Sequence, residues 1–346
     1  MAKQHSQTIG ITMGDPCGVG PEVVLKAVDL LTKASEPIEV ILIGSRAVFE
    51  EAARAIGIPF QELKGKSANV RILDTGDFNV KKMRKRVPTA EAGRVSVECI
   101  LKGIELALSG EIDALVTAPI SKEAVRMAGY SYPGHTEMLK ERTGAKRVVM
   151  MMIGKNLRVS FVTIHVPLKD AVRQISAENI FSTIMVTVDG LEKFFAVPKS
   201  EQRIGVCALN PHSGEGGLMG SEENEIILPA VGRAIREGVN CSGPIASDVI
   251  FHRAMEGEFD AVISLYHDQG TIPIKLLAFD SGVNLTLGLP IVRTSPTHGT
   301  AFDIAGTGAA NPGSMLEAIR VANRLAMTRK ASRPSRRGKT TLTALT

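Results

Sequence analysis

Apolar runs of strand length alternate with helical patterns along most of this chain, and that rhythm limits the folds open to it more than any other feature. Residues 8–13 read as a buried strand, and 20–31 (GPEVVLKAVDLL) as a helix with Pro21 in its first turn. A strand over 38–43 and a helix over 46–56 follow. Segments 70–73, 92–109 and 113–117 repeat the alternation. Such a pattern predicts a largely parallel sheet covered by helices. Between residues 147 and 165 two strand-like runs, RVVMMMIG and LRVSFVTIH, flank the turn Gly154-Lys155-Asn156. They read as a hairpin, so the sheet is expected to be mixed. A helix over 177–191, a strand over 203–209, a helix over 221–236, a strand over 260–265 and a helix over 314–327 complete the series. The expected architecture is α/β: two interlocked lobes on a mixed, largely parallel sheet with a central cleft. Residues 1–328 form one catalytic unit, and 329–346 a basic disordered tail.

The hydrophobic content of 44% and charged content of 22% suit a soluble enzyme. With no Trp and three Tyr, the chain lacks the aromatic platform of a single-strand nucleic-acid binder. The net charge is +5, but Arg329, Lys330, Arg333, Arg336, Arg337 and Lys339 all fall in the tail, and without these six the body carries −1. A folded nucleic-acid-binding face is therefore not expected. No apolar run reaches the roughly 18 to 20 residues of a membrane span, and the start lacks the pattern of a signal peptide. A cytoplasmic location is the expectation. Cys17, Cys99, Cys207 and Cys241 form no CxxC pair, so zinc-ribbon and redox readings lack support. Cys99 and Cys207 read as small buried hydrophobes, whereas Cys17, inside a Gly-rich turn, is the one placed to be accessible.

Polar groups of defined chemistry crowd the run 265–312, which reads as loops between short apolar segments. It carries His267, Asp268, Lys275, Asn284, Arg293, His298 and Asp303 among glycines and prolines. Of the seven histidines, four stand in turn-rich or strand-end settings: His135 (YPGHTE), His165 (VTIHVPL), His212 (LNPHSGEGG) and His267 (LYHDQG). His165, His212 and His267 follow apolar strands and are candidates for a metal site assembled from distant segments. Taken singly, each is more often a hydrogen-bonded structural residue. Imidazole ligands suit Zn²⁺ or Co²⁺ better than Mg²⁺. Lys275, Asn284 and Arg293 suit a phosphorylated, carboxylated small molecule, against the ordinary alternative of solvated surface charges.

The turn MGDPCGVGPEVV follows the first strand, but Gly14, Gly18 and Gly20 do not fit GxGxxG. What remains is a helix N-terminus able to hold an anion. The second Gly-rich segment, HGTAFDIAGTGAANP, does not read as following a strand and opening a helix. No standard Rossmann unit is expected.

Taken together, MGDPCGVGPE, DALVTAPISK, YPGHTE, VTIHVPL, LNPHSGEGG, GPIASD, YHDQG and GVNLTLGLPIVRTSPTHGTAFDIAG identify a resemblance to the 4-hydroxythreonine-4-phosphate dehydrogenase (PdxA) family. The motifs span almost the whole chain before residue 328. The resemblance implies a homodimer with a divalent metal held by His165, His212 and His267, the ligands coming from both subunits. It implies substrate contacts from His135, Thr136, Lys275, Asn284 and Arg293, and places Lys275, Asp248 and His135 among the catalytic candidates. GDPCGVGPE and HGTAFDIAGTGAANP are similar to the cofactor-proximal turns of the isopropylmalate dehydrogenase superfamily. This implies NAD or NADP beside Gly14, Asp15, Gly18, His298, Gly299, Thr300, Asp303 and Asn311.

The implied chemistry is oxidation at C3 with hydride passing to the nicotinamide, followed by loss of CO₂ from the β-keto acid. Asp248 and the His135 region are both candidates for the general base. One branch of the family acts on 4-phosphohydroxy-L-threonine, giving 3-amino-2-oxopropyl phosphate in pyridoxal phosphate synthesis. The other acts on D-threonate or D-erythronate 4-phosphate, giving dihydroxyacetone phosphate, and DQGTIPIKLLAFDSGVN resembles this second branch more closely. A catalytically idle relative that senses a phosphorylated metabolite is the competing class, because fold alone never guarantees activity.

Overall fold

The computed structural model describes residues 6–63, 68–76 and 78–331. The N-terminal half runs β1 (Gln7–Thr12), α1 (Gly20–Lys33), β2 (Ile38–Ile43), α2 (Arg46–Ile56), β3 (Ala68–Leu73), α3 (Ala90–Ser109), β4 (Ala114–Thr117), α4 (Lys122–Met127) and α5 (His135–Thr143). A hairpin of β5 (Val149–Gly154) and β6 (Leu157–Phe161) follows, then α6 (Leu168–Gln174), α7 (Ala177–Phe195), β7 (Ile204–Cys207), α8 (Leu228–Arg236), β8 (Cys241–Ile245), α9 (Ser247–Met255) and β9 (Ala261–Ser264). The chain closes with α10 (His267–Ala278), β10 (Val283–Leu287), β11 (Val292–Pro296) and α11 (Gly313–Ala331).

Among the described residues eleven strands make one sheet, ordered β3-β2-β1-β4-β11-β10-β5-β6-β9-β7-β8. The strands β3-β2-β1-β4-β11 are mutually parallel, as are β6-β9-β7-β8. Antiparallel pairings of β10 with β11 and β5, and of β5 with β6, join the two blocks. The expected mixed, largely parallel sheet is therefore present, and its antiparallel part lies in the middle.

Helix boundaries follow local chemistry. The Thr89 hydroxyl accepts from the Ala92 amide at the start of α3, and Gly110 ends that helix at φ +82°, a conformation glycine reaches without strain. The small residue Gly93 lets α3 approach α4 closely, for a Cβ there would stand 1.9 Å from the carbonyl oxygen of Ala124. Ile9, Ile11, Leu42 and Leu115 from the first parallel block are fully buried in the larger core. Val159, Phe161, Val262 and Ile274 form a second core under α9 and α10. Burial of such side chains contributes about 1.5–3 kcal/mol each.

The run 265–312 is more regular than the sequence suggests. It contains α10, β10 and β11 as well as loops. Gly270 and Pro273 mask the helical pattern of α10, yet Gly270 is what seats the helix: a Cβ there would come within 2.7 Å of Phe161 and Val159. The second Gly-rich segment also departs from expectation, since it follows β11 directly and leads into α11. Residues 329–331, assigned to a disordered tail, continue α11, where the Lys330 ammonium pairs with Asp113 at 2.9 Å. The rest of the expected tail lies outside the described residues. Cys17 is buried, its thiol 3.5 Å from the Lys82 carbonyl oxygen, and burial pushes its pKa up to about 12. The expectation of an accessible thiol is corrected accordingly.

Candidate active site

Side chains alternate across a strand, so residues two apart on the central strands share a face. Register aligns Ser295 with Asn284 and Asn284 with Met152, and aligns Thr286 with Met150. Met150, Met152, Asn284, Arg293 and Ser295 floor a cavity of about 590 Å³. Loops after β4 and β6 and the helices α5 and α10 supply the walls, with Lys122, His135, Thr136, His165, His267 and Lys275. The cleft expected between two lobes thus lies over the antiparallel centre of one sheet.

Arg293 dominates the floor. It is 2% exposed and donates to the Thr117 hydroxyl at 2.6 and 3.2 Å and to the Thr286 hydroxyl at 2.9 Å. No carboxylate pairs with it among the described residues, and burial lowers its pKa to about 10. A buried guanidinium with only neutral partners is costly unless an anion arrives. Lys275 reaches the same space from α10, donating to the hydroxyl and carbonyl oxygens of Thr297 at 2.8 and 3.2 Å, with its pKa lowered by burial.

Three further polar atoms of the cavity lining are sealed from solvent without a partner among the described residues: Nε2 of His135, Oδ1 of Asn284 and Nε2 of His298. Burial, then the charges of Arg293 and Lys122, hold the His135 pKa well below its ordinary value, so the ring is neutral. It can accept a proton or a hydrogen bond. Unsatisfied groups of this kind are expensive and mark a place where a ligand completes the network.

His165 and His267 converge at the other end, with ring centroids 5.5 Å apart. Asp268 holds Nδ1 of His267 at 2.6 Å, leaving Nε2 as the available donor. Burial, then Lys122 and His267, lower the His165 pKa and favour its neutral form. Two imidazoles with a supporting carboxylate fit a divalent transition metal. His212 does not line this cavity; it sits exposed in the turn Pro211–Gly217 after β7. Among the described residues no three His, Cys, Asp or Glu side chains stand close enough together to hold a metal.

The residues expected near a nucleotide cofactor form a second group adjoining the cavity at His298 and Gly299. The two Gly-rich turns touch: the Val19 amide donates to the Thr300 carbonyl at 2.8 Å, and a Cβ on Gly18 would stand 2.8 Å from that oxygen. Asp15 is fully buried, its amide donating to the Pro119 carbonyl at 2.9 Å. Its Oδ1 accepts from the Cys17 amide at 2.8 Å, its Oδ2 has no partner, and burial raises its pKa to about 6. Gly14 turns at φ +74° to let the chain pass the Pro119 carbonyl. Asp303 is exposed on the loop, and Asn311 accepts from the Gly313 amide at 2.8 Å.

All five expected substrate contacts line one cavity, with His165 and His267. Asp248 does not: it is exposed in the first turn of α9, outside the lining. Lys122, Glu137 and Thr117 line the cavity without having been singled out from sequence. Their signal was positional, since Thr117 ends β4 and Lys122 begins the next helix, where parallel-sheet proteins bind ligands.

The family model for the pyridoxal phosphate biosynthetic protein PdxA matches residues 36–322. A 4-hydroxythreonine-4-phosphate dehydrogenase from Geobacter metallireducens is 45% identical over 92% of this chain and 95% of its own length. A D-threonate 4-phosphate dehydrogenase from Cupriavidus necator is 41% identical over 93% of this chain and 98% of its own. The crystal structure of a 4-hydroxythreonine-4-phosphate dehydrogenase from Klebsiella pneumoniae, 36% identical, superimposes with a TM-score of 0.84 over 94% of this chain and 99% of that one. The chain that builds this cavity therefore belongs to the PdxA family and is an oxidoreductase of the dehydrogenase type.

Proposed function

We propose that the protein oxidises and decarboxylates a 4-phosphorylated 3-hydroxy acid, using NAD or NADP and a divalent metal, and that D-threonate or D-erythronate 4-phosphate is converted to dihydroxyacetone phosphate and CO₂. The observation that carries this reading is Arg293, a buried cation without a counter-ion on the cavity floor, with Lys275 beside the same space. Two cationic groups suit a substrate with a phosphate at one end and a carboxylate at the other.

His165 and His267 would hold a divalent metal, which would supply Lewis acidity toward the substrate's C3 hydroxyl and toward the charge that develops as CO₂ leaves. An oxidised nicotinamide, when bound, would supply the hydride acceptor. Arg293, Lys275 and Thr136 fix the anionic ends and so set which carbon faces the cofactor. His135, neutral and unpartnered at Nε2, takes the hydroxyl proton, since Asp248 lies outside the cavity. Lys275, with a pKa lowered by burial, returns a proton to the carbon that CO₂ leaves. The exposed stretch of loop around Asp303 holds the adenosine half.

Charge supports the threonate reading, because Lys122, Lys275 and Arg293 face a lone carboxylate, Glu137, among the lining residues. An ammonium at C2 would add repulsion. Glu137 itself favours the second reading, 4-phosphohydroxy-L-threonine to 3-amino-2-oxopropyl phosphate. A second copy of the chain supplies His212 and covers α10 and its C-cap, where Ile272, Leu276 and Phe279 are 58%, 83% and 71% exposed beside the cavity residues Thr271 and Lys275. Among the described residues no helix is long and apolar enough to cross a membrane.

The test follows reduction of NAD and NADP with each of the three phosphorylated substrates, before and after chelation. Turnover of D-threonate or D-erythronate 4-phosphate is expected; turnover of 4-phosphohydroxy-L-threonine alone selects the second reading. No turnover with any of them leaves the idle metabolite-binding relative.

A further inference from the structure

The first turn of α1 and the loop after β11 are bound together by a network that the chemistry above does not use. Glu22 is 2% exposed. Its carboxylate accepts from the Gly306 amide at 3.0 Å and from the Ala310 amide at 3.0 Å. The ammonium of Lys26, one turn along, donates to Glu22 at 2.9 Å and to the carbonyl oxygens of Gly308 and Ala310 at 2.6 and 2.9 Å. Four hydrogen bonds thus bind one helical turn to a loop segment more than 280 residues away in sequence. Just upstream, the Val19 amide holds Thr300, so one face of α1 grips the loop at both ends.

The loop needs this support. Residues 306–309 are exposed, Gly306 and Gly308 adopt positive φ of +68° and +78°, and neither a helix nor a strand organises the segment. Exposed Gly-rich backbone has much conformational freedom to lose on binding. A buried carboxylate that accepts two amides, with its charge balanced by a lysine that also caps two carbonyls, removes that freedom before any ligand arrives.

We propose that Glu22 and Lys26 are positioning residues that pre-form the loop 300–310 for the nucleotide cofactor, and so set cofactor affinity without touching substrate. This rests on the reading of that loop as the cofactor holder. Glu22→Gln keeps the shape but loses one acceptor and the charge opposite Lys26.

The experiment titrates NADH and NADPH against wild-type and Glu22→Gln protein by fluorescence, measures steady-state constants, and follows amide hydrogen exchange without cofactor. The variant is expected to bind reduced cofactor about tenfold more weakly and to raise the cofactor KM in step, with kcat and substrate KM changed by less than about threefold. Exchange at Gly306 and Ala310 should accelerate while the central strands stay protected. Lys26→Gln, a milder change, should shift the same constants in the same direction. In wild-type protein alone, Gly306 and Ala310 amides should exchange more slowly than that of exposed Gly308, a comparison that needs no variant to fold. Equal exchange at those three amides, unchanged cofactor affinity in Glu22→Gln, or a parallel loss of kcat and substrate binding overturns the proposal. Wild-type protein that binds neither cofactor overturns the cofactor reading itself.

Discussion

The guanidinium of Arg293 donates twice to the hydroxyl of Thr117, 176 residues earlier in the chain, at the point where β11 lies beside β4. This contact aims at the cavity a charge that no carboxylate among the described residues neutralises. Replacing Arg293 by Met should therefore leave the fold intact and raise its stability by about 1 kcal/mol, since the desolvated charge disappears. Activity should fall roughly a thousandfold or more. Calorimetry and kinetics on the one variant check both statements, and a destabilised variant would show that the cation serves the fold.

Asp268 fixes the imidazole of His267 through Nδ1. Asp268→Asn is expected to weaken binding of Zn²⁺ or Co²⁺ by about 10- to 100-fold while the chain stays folded. Competition with a chromogenic chelator measures it. Unchanged metal affinity would remove His267 from the ligand set.

A metal site shared between copies has a signature in mixtures. His165→Ala and His212→Ala proteins should each be inactive. Refolded together, they should recover up to about a quarter of wild-type activity, because half the dimers then carry one intact site of two. No recovery would mean that all ligands of one site come from one chain.

His135 is held neutral, with its pKa well below the ordinary 6.5. In the unfolded chain the same ring takes up a proton near 6.5, so protonation favours unfolding as the pH drops below that value. The stabilisation is full above pH 6.5 and is lost progressively as the pH falls toward the folded-state pKa. Asp15, raised from 3.8 to about 6, acts in the opposite sense and adds stability as the pH falls through 6. Urea midpoints between pH 7.5 and 5.5 should fall less steeply for His135→Gln than for wild type. Parallel curves would contradict the assignment.

Gly93→Ala places a methyl group against the Ala124 carbonyl of α4. Backbone cannot rotate away as a side chain can, so a loss of about 2–3 kcal/mol is expected, with a lower kcat/KM because α4 carries Lys122. Thermal melts and kinetics test it together.

The alternation of apolar runs made β1 through β4, the hairpin and the mixed sheet readable, because a buried strand needs a continuous apolar stretch. It hid β10 and β11, whose polar residues Asn284, Arg293 and Ser295 line the cavity and, with Thr286 beneath Arg293, interrupt the pattern. It hid α10 because Gly270 and Pro273 look like breakers where the packing against Phe161 requires a glycine. The residue types of the site were legible from the residues themselves; their grouping came only from the family resemblance, since register across β11, β10 and β5 is a tertiary fact. His212 and Asp248 show the limit from the other side. Each follows a strand as a ligand or base would, yet neither reaches the cavity of its own chain.

The contacts between α1 and the loop 306–310 also bear on how the protein is made. Synthesis proceeds from the N-terminus, so β1 and α1 leave the ribosome long before the segment that Glu22 and Lys26 are built to hold. Until residue 310 emerges, a buried carboxylate and its lysine have only each other and water, and β4 has an open edge where β11 will pair. The nascent chain is therefore expected to rely on chaperone protection at this edge, and the cofactor side of the site to be the last part of the enzyme to take shape.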